Sequence, residues 1–125
     1  MTIHPNAELV RRYWSTAEAR DWEGFAALLH PDVVYEAHQT RERVTGRDPY
    51  VRFNAEFPGD WHVTVVRVLA DDSGGFAWTS FAVDGEEMTG LHVLTVVDGL
   101  VTKVDDFWPE PYDPPPGRDH LVERW

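Results

Sequence analysis

Asp98-Gly99-Leu100-Val101-Thr102-Lys103-Val104-Asp105-Asp106-Phe107-Trp108-Pro109 reads as a tight turn followed by a strand. Glycine tolerates the positive φ that short hairpin turns demand, so Asp98-Gly99 marks a chain reversal. The strand after it carries two adjacent carboxylates among Val104, Phe107 and Trp108. Successive side chains on a strand point to opposite faces, so Asp105 and Asp106 diverge and one of them meets the apolar side of its sheet. A carboxylate there is costly unless it has a partner or a task. Asp106 is the candidate reactive group of a small hydrophobic pocket; the structural alternative pairs it with Lys103, a backbone group or water. Asp105 reads as solvated.

Upstream, the segments 61–70, 76–83 and 86–97 also read as strands, joined by Asp71-Asp72-Ser73-Gly74-Gly75 and Asp84-Gly85. Consecutive hairpin signals of this kind make an antiparallel meander. The first half is different. Asn6 reads as an N-cap, and Leu9, Val10, Tyr13, Trp14 and Ala17 recur at helical spacing, which predicts a helix over 7–20. Asp21 caps a second, short helix carrying Trp22, Phe25, Leu28 and Leu29, which stops before His30-Pro31. Residues 33–39 read as a strand and 40–47 as a polar loop. Asp48-Pro49 opens a third helix with Tyr50, Val51, Phe53, Asn54 and Phe57, closed by Pro58-Gly59. The tail 109–117 holds Pro109, Pro111, Pro114, Pro115 and Pro116, which suit neither a central strand nor a helix interior; residues 120–125 allow one last helical turn. Helices first and strands afterwards is an α+β order.

The 125 residues read as one domain, 1–125, which buries roughly two-thirds of its unfolded surface. A net charge of −11, from 22 acidic and 11 basic residues, argues against nucleic acid and against anionic membranes as partners. The absence of cysteine excludes disulfides, thiolate metal sites and a cysteine nucleophile, and fits a reducing cytoplasm. The first residues are polar with no apolar segment behind them, so no signal peptide is expected. No apolar run approaches the ~18 residues of a membrane span. Neither a glycine-rich phosphate loop nor a Gly-x-Ser-x-Gly elbow is present. Glu36 and His38 share one strand face, but the spacing of a zinc site is missing, so no metal is expected.

Several stretches resemble one family in order. Ala19-Arg20-Asp21-Trp22-Glu23-Gly24-Phe25 and Leu28-Leu29-His30-Pro31-Asp32-Val33-Val34-Tyr35 resemble a second helix and the approach to a first strand. Val44-Thr45-Gly46-Arg47-Asp48 resembles the start of a third helix, and Asp98-Gly99-Leu100-Val101 with Asp105-Asp106-Phe107-Trp108 the closing hairpin. Together they resemble the nuclear-transport-factor-2-like superfamily, in its SnoaL-like or polyketide-cyclase-type branch. The resemblance implies a cone-shaped α+β fold: three N-terminal helices packed on a strongly curved, mostly antiparallel sheet enclosing an apolar pocket. It also implies a homodimer. The same fold carries isomerases, dehydratases, epoxide hydrolases, aldol-type cyclases and non-catalytic domains, so the fold alone does not settle function.

On this resemblance Asp106 matches the last-strand acid or base, and its apolar neighbours are expected to raise its pKa. Tyr35 matches a pocket tyrosine able to orient an oxygen. Ala37 stands where relatives carry a base or an asparagine, and the segment 79–83 lacks the arginine–aspartate pair of epoxide hydrolases. His92 lies six residues before Asp98, and Asp106 seven after Gly99, which makes them cross-strand neighbours to within one residue. Such a pair is a natural proton-handling unit. Trp14, Phe53, Trp78 and Trp108 are the expected pocket walls. His38 reaches the pocket only if its strand bulges. The reading is a cofactor-independent isomerase, dehydratase or aldol-type cyclase acting by proton transfer on a small apolar or polyketide-like molecule. The alternative is a ligand-binding or dimerisation domain without chemistry.

Overall fold

The first helix begins at Pro5 rather than Ala7. In the computed structural model, which describes residues 2–125, α1 spans Pro5–Glu18 and is capped by His4, whose Nδ1 accepts the Asn6 amide at 3.0 Å. Pro5 suits a first helical position because its missing N–H would have no partner there. Asn6, the expected cap, instead donates its side-chain amide to the Asp71 carbonyl at 2.8 Å, which ties the helix to the sheet. Val10, Tyr13, Trp14 and Ala17 form the buried side of α1. In α2 (Trp22–Ala26) the Asp21 carboxylate does accept the Gly24 amide, at 2.9 Å, and Phe25 is buried.

The strand β1 (Leu29–Ala37) starts before the predicted Val33 and runs through Pro31, where its pairing is irregular. The predicted loop contains a short edge strand, β2 (Glu42–Thr45), paired antiparallel with β1 from Val34↔Thr45 to Ala37↔Glu42. Its polar sequence has no apolar alternation to betray it, as is common for edge strands. Then come α3 (Arg47–Ala55), β3 (Trp61–Asp71), β4 (Gly74–Val83), β5 (Glu86–Val97), β6 (Leu100–Phe107) and a final 3-10 turn (Asp119–Leu121). The six strands form one curved, unclosed sheet in the order β2-β1-β6-β5-β4-β3, with the three helices packed on it. All pairings are antiparallel except β1 with β6. The core between helices and sheet centres on Val10, Tyr13, Phe25, Tyr50, Leu94 and Val104.

One irregularity sets the site. From the Asp98-Gly99 turn the ladder runs Val97↔Leu100 and Val96↔Val101, then skips to Thr95↔Lys103. Thr102 is the extra residue of a bulge, and its hydroxyl donates to the Thr95 carbonyl at 3.3 Å. Beyond the bulge His92 lies opposite Asp106, so the one-residue ambiguity of the sequence count resolves in favour of a direct pair. No helix among the described residues is long and apolar enough to cross a membrane.

The end of α1 is fastened to β3 by ionic contacts. His62 Nδ1 donates to Glu18 Oε2 at 2.8 Å, and the Val63 amide donates to Glu18 Oε1 at 2.8 Å. Partial burial works to raise the Glu18 pKa, but the bonds from His62 and Val63 outweigh it and hold the carboxyl below its usual range. Glu18, first by its hydrogen bond and then by its charge, holds His62 above its usual range. Glu18 therefore adds stability that is present above about pH 4.5 and lost as pH falls through its lowered pKa. His62 adds stability that is present below about pH 6.5 and lost as pH rises through its raised pKa. Replacing His62 by alanine is expected to lower the melting temperature slightly at about pH 5.5. The difference should fade as pH rises through the raised His62 pKa and the native imidazole becomes neutral; thermal melts across a pH series check this.

Candidate functional site

Alternation along β4, β5 and β6 places Thr79, His92 and Asp106 on the concave, helix-facing side of the sheet, where Thr79 and His92 are fully buried and Asp106 is 5% exposed. They form a chain of hydrogen bonds. His92 Nδ1 donates to Asp106 Oδ1 at 2.7 Å, and His92 Nε2 lies 2.7 Å from Thr79 Oγ1. An ionised carboxylate only accepts, so Nδ1 carries a proton. With a neutral imidazole, the Thr79 hydroxyl donates to Nε2. With an imidazolium, Nε2 donates to Thr79 Oγ1, whose own proton turns to the Gly90 carbonyl at 3.4 Å. The same atom positions thus serve two protonation states.

Asp106 lines an inner chamber of about 40 Å3, together with Trp14, Tyr35, Tyr50, Phe53, Trp108 and their apolar neighbours. The chamber shares Tyr35, Phe53, Phe57, Phe81 and Trp108 with an open cleft of about 1160 Å3 whose outer walls include Met88, Pro109 and Tyr112. The Tyr13 and Tyr50 hydroxyls bond to each other beneath the chamber. Burial, and next the negative charge of Asp106, hold Tyr13 and Tyr35 well above the usual phenol pKa. Burial, then Tyr13 and Asp106, do the same for Tyr50. All three phenols stay protonated and remain hydrogen-bond donors around one carboxylate.

Of the residues singled out from the sequence, Asp106, Tyr35, Trp14, Phe53 and Trp108 meet at the chamber, and His92 supports Asp106 from behind. Tyr35 stacks on Tyr50 with ring centroids 4.9 Å apart, and Trp14 packs on His92 at 4.4 Å. Two expectations are corrected. Trp78 is not a pocket wall: its neighbours Ala77 and Thr79 point inward, so Trp78 is carried to the outer face and is 44% exposed. His38 does not reach the pocket: no bulge turns it, and Tyr35 and Ala37 already occupy the inward positions of β1. Its Nε2 instead bonds Asp105 Oδ1 at 2.8 Å while its ring stacks on Phe107.

Glu36, His38 and Asp105 bring their donor atoms within 4.8 Å of one another on the outer face. A cation is already in place there. Lys103 Nζ lies 2.6 Å from Glu36 Oε1 and 3.1 Å from Asp105 Oδ1. Lys103, then Arg43, push the Glu36 carboxyl down to about 2. Asp105 is thus ion-paired and half-buried rather than simply solvated.

A family model described as a SnoaL-like domain matches residues 10–104. The chain belongs to the SnoaL-like domain family. A solved structure from Kribbella flavida, described as a candidate ketosteroid isomerase, is 53% identical, with a TM-score of 0.93, covering 97% of this chain and 90% of its own. A candidate polyketide cyclase from Xanthomonas campestris is 20% identical with a TM-score of 0.68, covering 84% and 90%. An LEH-like epoxide hydrolase from M. tuberculosis is 19% identical with a TM-score of 0.71, covering 84% and 83%. The last two show the shared NTF2-like fold alone. No curated protein matches the chain.

Sequence reasoning missed Tyr13, Tyr50, Thr79 and Gly90. The first two read as ordinary core aromatics, and Thr79 as an uncharged strand residue. Gly90 did carry a signal, since glycine inside a strand often marks a close approach. A Cβ at Gly90 would lie 2.6 Å from His92 Nε2 and 2.7 Å from Thr79 Oγ1. Gly90→Ala is expected to push the imidazole off Thr79 and to cost about 1–3 kcal/mol as an overpacked site. Nitrogen NMR of the His92 ring should then report a changed protonation pattern, and a denaturant titration the lost stability.

Proposed function

We propose that this SnoaL-like domain is a cofactor-independent enzyme that moves a proton on a small apolar or polyketide-like molecule, by isomerisation, dehydration or aldol-type cyclisation. The observation that carries the reading is the buried Thr79–His92–Asp106 chain, whose carboxylate lines a chamber that shares aromatic wall residues with the open cleft. Asp106 takes or returns the proton. His92 orients it through Oδ1 and adjusts to the change of charge, and Tyr35 orients an oxygen of the substrate. Support for an isomerase comes from the 53% identical Kribbella flavida protein. Ala37 supplies neither base nor amide, so the work falls on Asp106.

The test uses β,γ-unsaturated ketones, from cyclohexenones to steroids, followed by the ultraviolet absorbance of the conjugated product. Asp106→Asn is expected to slow turnover about 10²–10⁴-fold while the melting temperature stays level or rises. A variant that loses stability and keeps its activity overturns the assignment. The second reading, a ligand-binding domain without chemistry, draws on the small inner chamber of about 40 Å3 and the absent base at Ala37. Saturable ligand binding with no turnover of any ketone would favour it.

We also propose that the outer sheet face pairs with a second copy. Leu69, Trp78 and Val93 are exposed there, and their ladder partners Phe76, Leu91 and Phe107 extend the apolar strip. Exposed apolar strips of this kind mark association surfaces. Light scattering is expected to give twice the chain mass of 14.3 kDa for the native protein and the single chain mass for Trp78→Lys. A monomeric native protein, or a dimeric variant, rejects this interface.

A further inference from the structure

Asp106 is almost fully buried, yet only half of its carboxylate is engaged: His92 holds Oδ1, and Oδ2 has no hydrogen bond among the described residues. The Tyr35 hydroxyl has none either, and Tyr35 is as deeply buried. Among the buried and half-buried described residues, Trp14 Nε1 is the one unpaired side-chain nitrogen or oxygen that is sealed off without an acceptor. Asp106 Oδ2 and the Tyr35 hydroxyl therefore keep accessible surface, and the chamber of about 40 Å3 is the space that both residues line. An ionised carboxylate only accepts, so what Oδ2 lacks is a donor. With the His92 imidazole neutral, the site also carries one negative charge, and a buried charge is costly until something offsets it. Among the described residues, no lysine, arginine or histidine lines either the chamber or the cleft.

We propose that the chamber binds the ammonium head of a small amine with an apolar body, which donates to Asp106 Oδ2 and to the Tyr35 hydroxyl oxygen. The surroundings select a cation over a neutral donor. The rest of the chamber wall is chiefly aromatic, and aromatic rings are the usual lining for organic ammonium ions. The cleft that shares those rings carries Glu42, Asp84, Glu86 and Glu110. Carboxylates around an entrance draw cations toward it and disfavour anions. Size agrees as well. One water-sized group needs about 10–15 Å3, so about 40 Å3 admits an ammonium head and not a ring. The apolar body then lies in the cleft against Phe53, Phe81 and Trp108. This inference goes beyond the proton-transfer reading and does not rest on it, because it concerns the charge of the occupant. A bound ammonium would cover the oxygen that takes the proton, so amines are expected as competitors of a ketone rather than as substrates.

The experiment compares ligands that differ only in the head group, benzylamine with benzyl alcohol and benzoate, and cyclohexylmethylamine with cyclohexylmethanol. Calorimetry on the full chain is run at about pH 7, where an alkyl ammonium is charged. The native protein is expected to bind each amine at least about tenfold more tightly than its alcohol, and benzoate more weakly than either. The preference should persist in about 0.5 M sodium chloride, because a buried pair is screened far less than the exposed rim. Asp106→Asn keeps the shape and removes the charge, so it should bring amine and alcohol to near-equal affinity while alcohol binding is kept. A further measurement does not depend on the variant folding: in the native protein, the Asp106 carboxyl carbon resonance should move with benzylamine and not with benzyl alcohol. Equal affinity for amine and alcohol in the native protein, a preference that salt abolishes, one that survives Asp106→Asn, or an unmoved carboxyl resonance overturns the proposal. A protein that turns over a ketone and ignores amines overturns this proposal alone. One that binds amines with the Asp106 signature and turns over no ketone upholds it and sinks the enzymatic reading.

Discussion

The arrangement of the site depends on one extra residue. Without the bulge at Thr102, the two-residue turn at Asp98-Gly99 would set His92 opposite Asp105, and the inward set of β6 would be Val101, Lys103 and Asp105. With it, Val101, Val104 and Asp106 share the concave face, while Lys103 and Asp105 turn outward. Burying a lysine and a carboxylate against the core aromatics would be costly. Burying Val104 together with a carboxylate already bonded to a histidine is affordable. The hydrophobic pattern of β6 and the bulge are therefore two expressions of the same constraint.

Both faces of β6 consequently carry carboxylates, in opposite settings. On the outside, Asp105 joins Glu36, Lys103, Arg43 and His38 in a compensated ionic cluster that water can screen. On the inside, Asp106 sits in a low-dielectric wall with one imidazole bonded to it and three protonated phenols around it. Among the described residues, no lysine or arginine lines the chamber beside the inner carboxylate. The hydrogen bonds that join Thr79, His92 and Asp106 form one continuous buried chain, which is the geometry that the proposed proton-transfer role calls for.

The sheet–helix division was legible because the periods differ: apolar residues of α1 recur every three or four positions, and the β meander is punctuated by Asp-Gly turns. The pairing of His92 with Asp106 was legible to within one residue, since both are counted from the same turn. Trp78 was misplaced because aromatic residues suit either face of a strand, and only the parity set by its neighbours decides which. The cap of α1 was misread for a related reason. Asn6 has the chemistry of a cap, but a carbonyl of the distant Asp71 claimed its amide and His4 took over.

The amino-acid order by itself determined the succession of helices and strands, the turns, the acidic and cysteine-free character and the candidacy of Asp106, because these rest on local sterics and on residue chemistry. Only the tertiary structure decided that Asp106 rather than Asp105 faces inward, that Tyr13 and Tyr50 meet beneath it, and that the Trp14 nitrogen is left without an acceptor. Those outcomes depend on strand register and on contacts between residues far apart in the chain, such as Tyr13 with Tyr50 and Thr79 with His92. A shift of one residue in register reverses every side chain on a strand, and no local pattern records it.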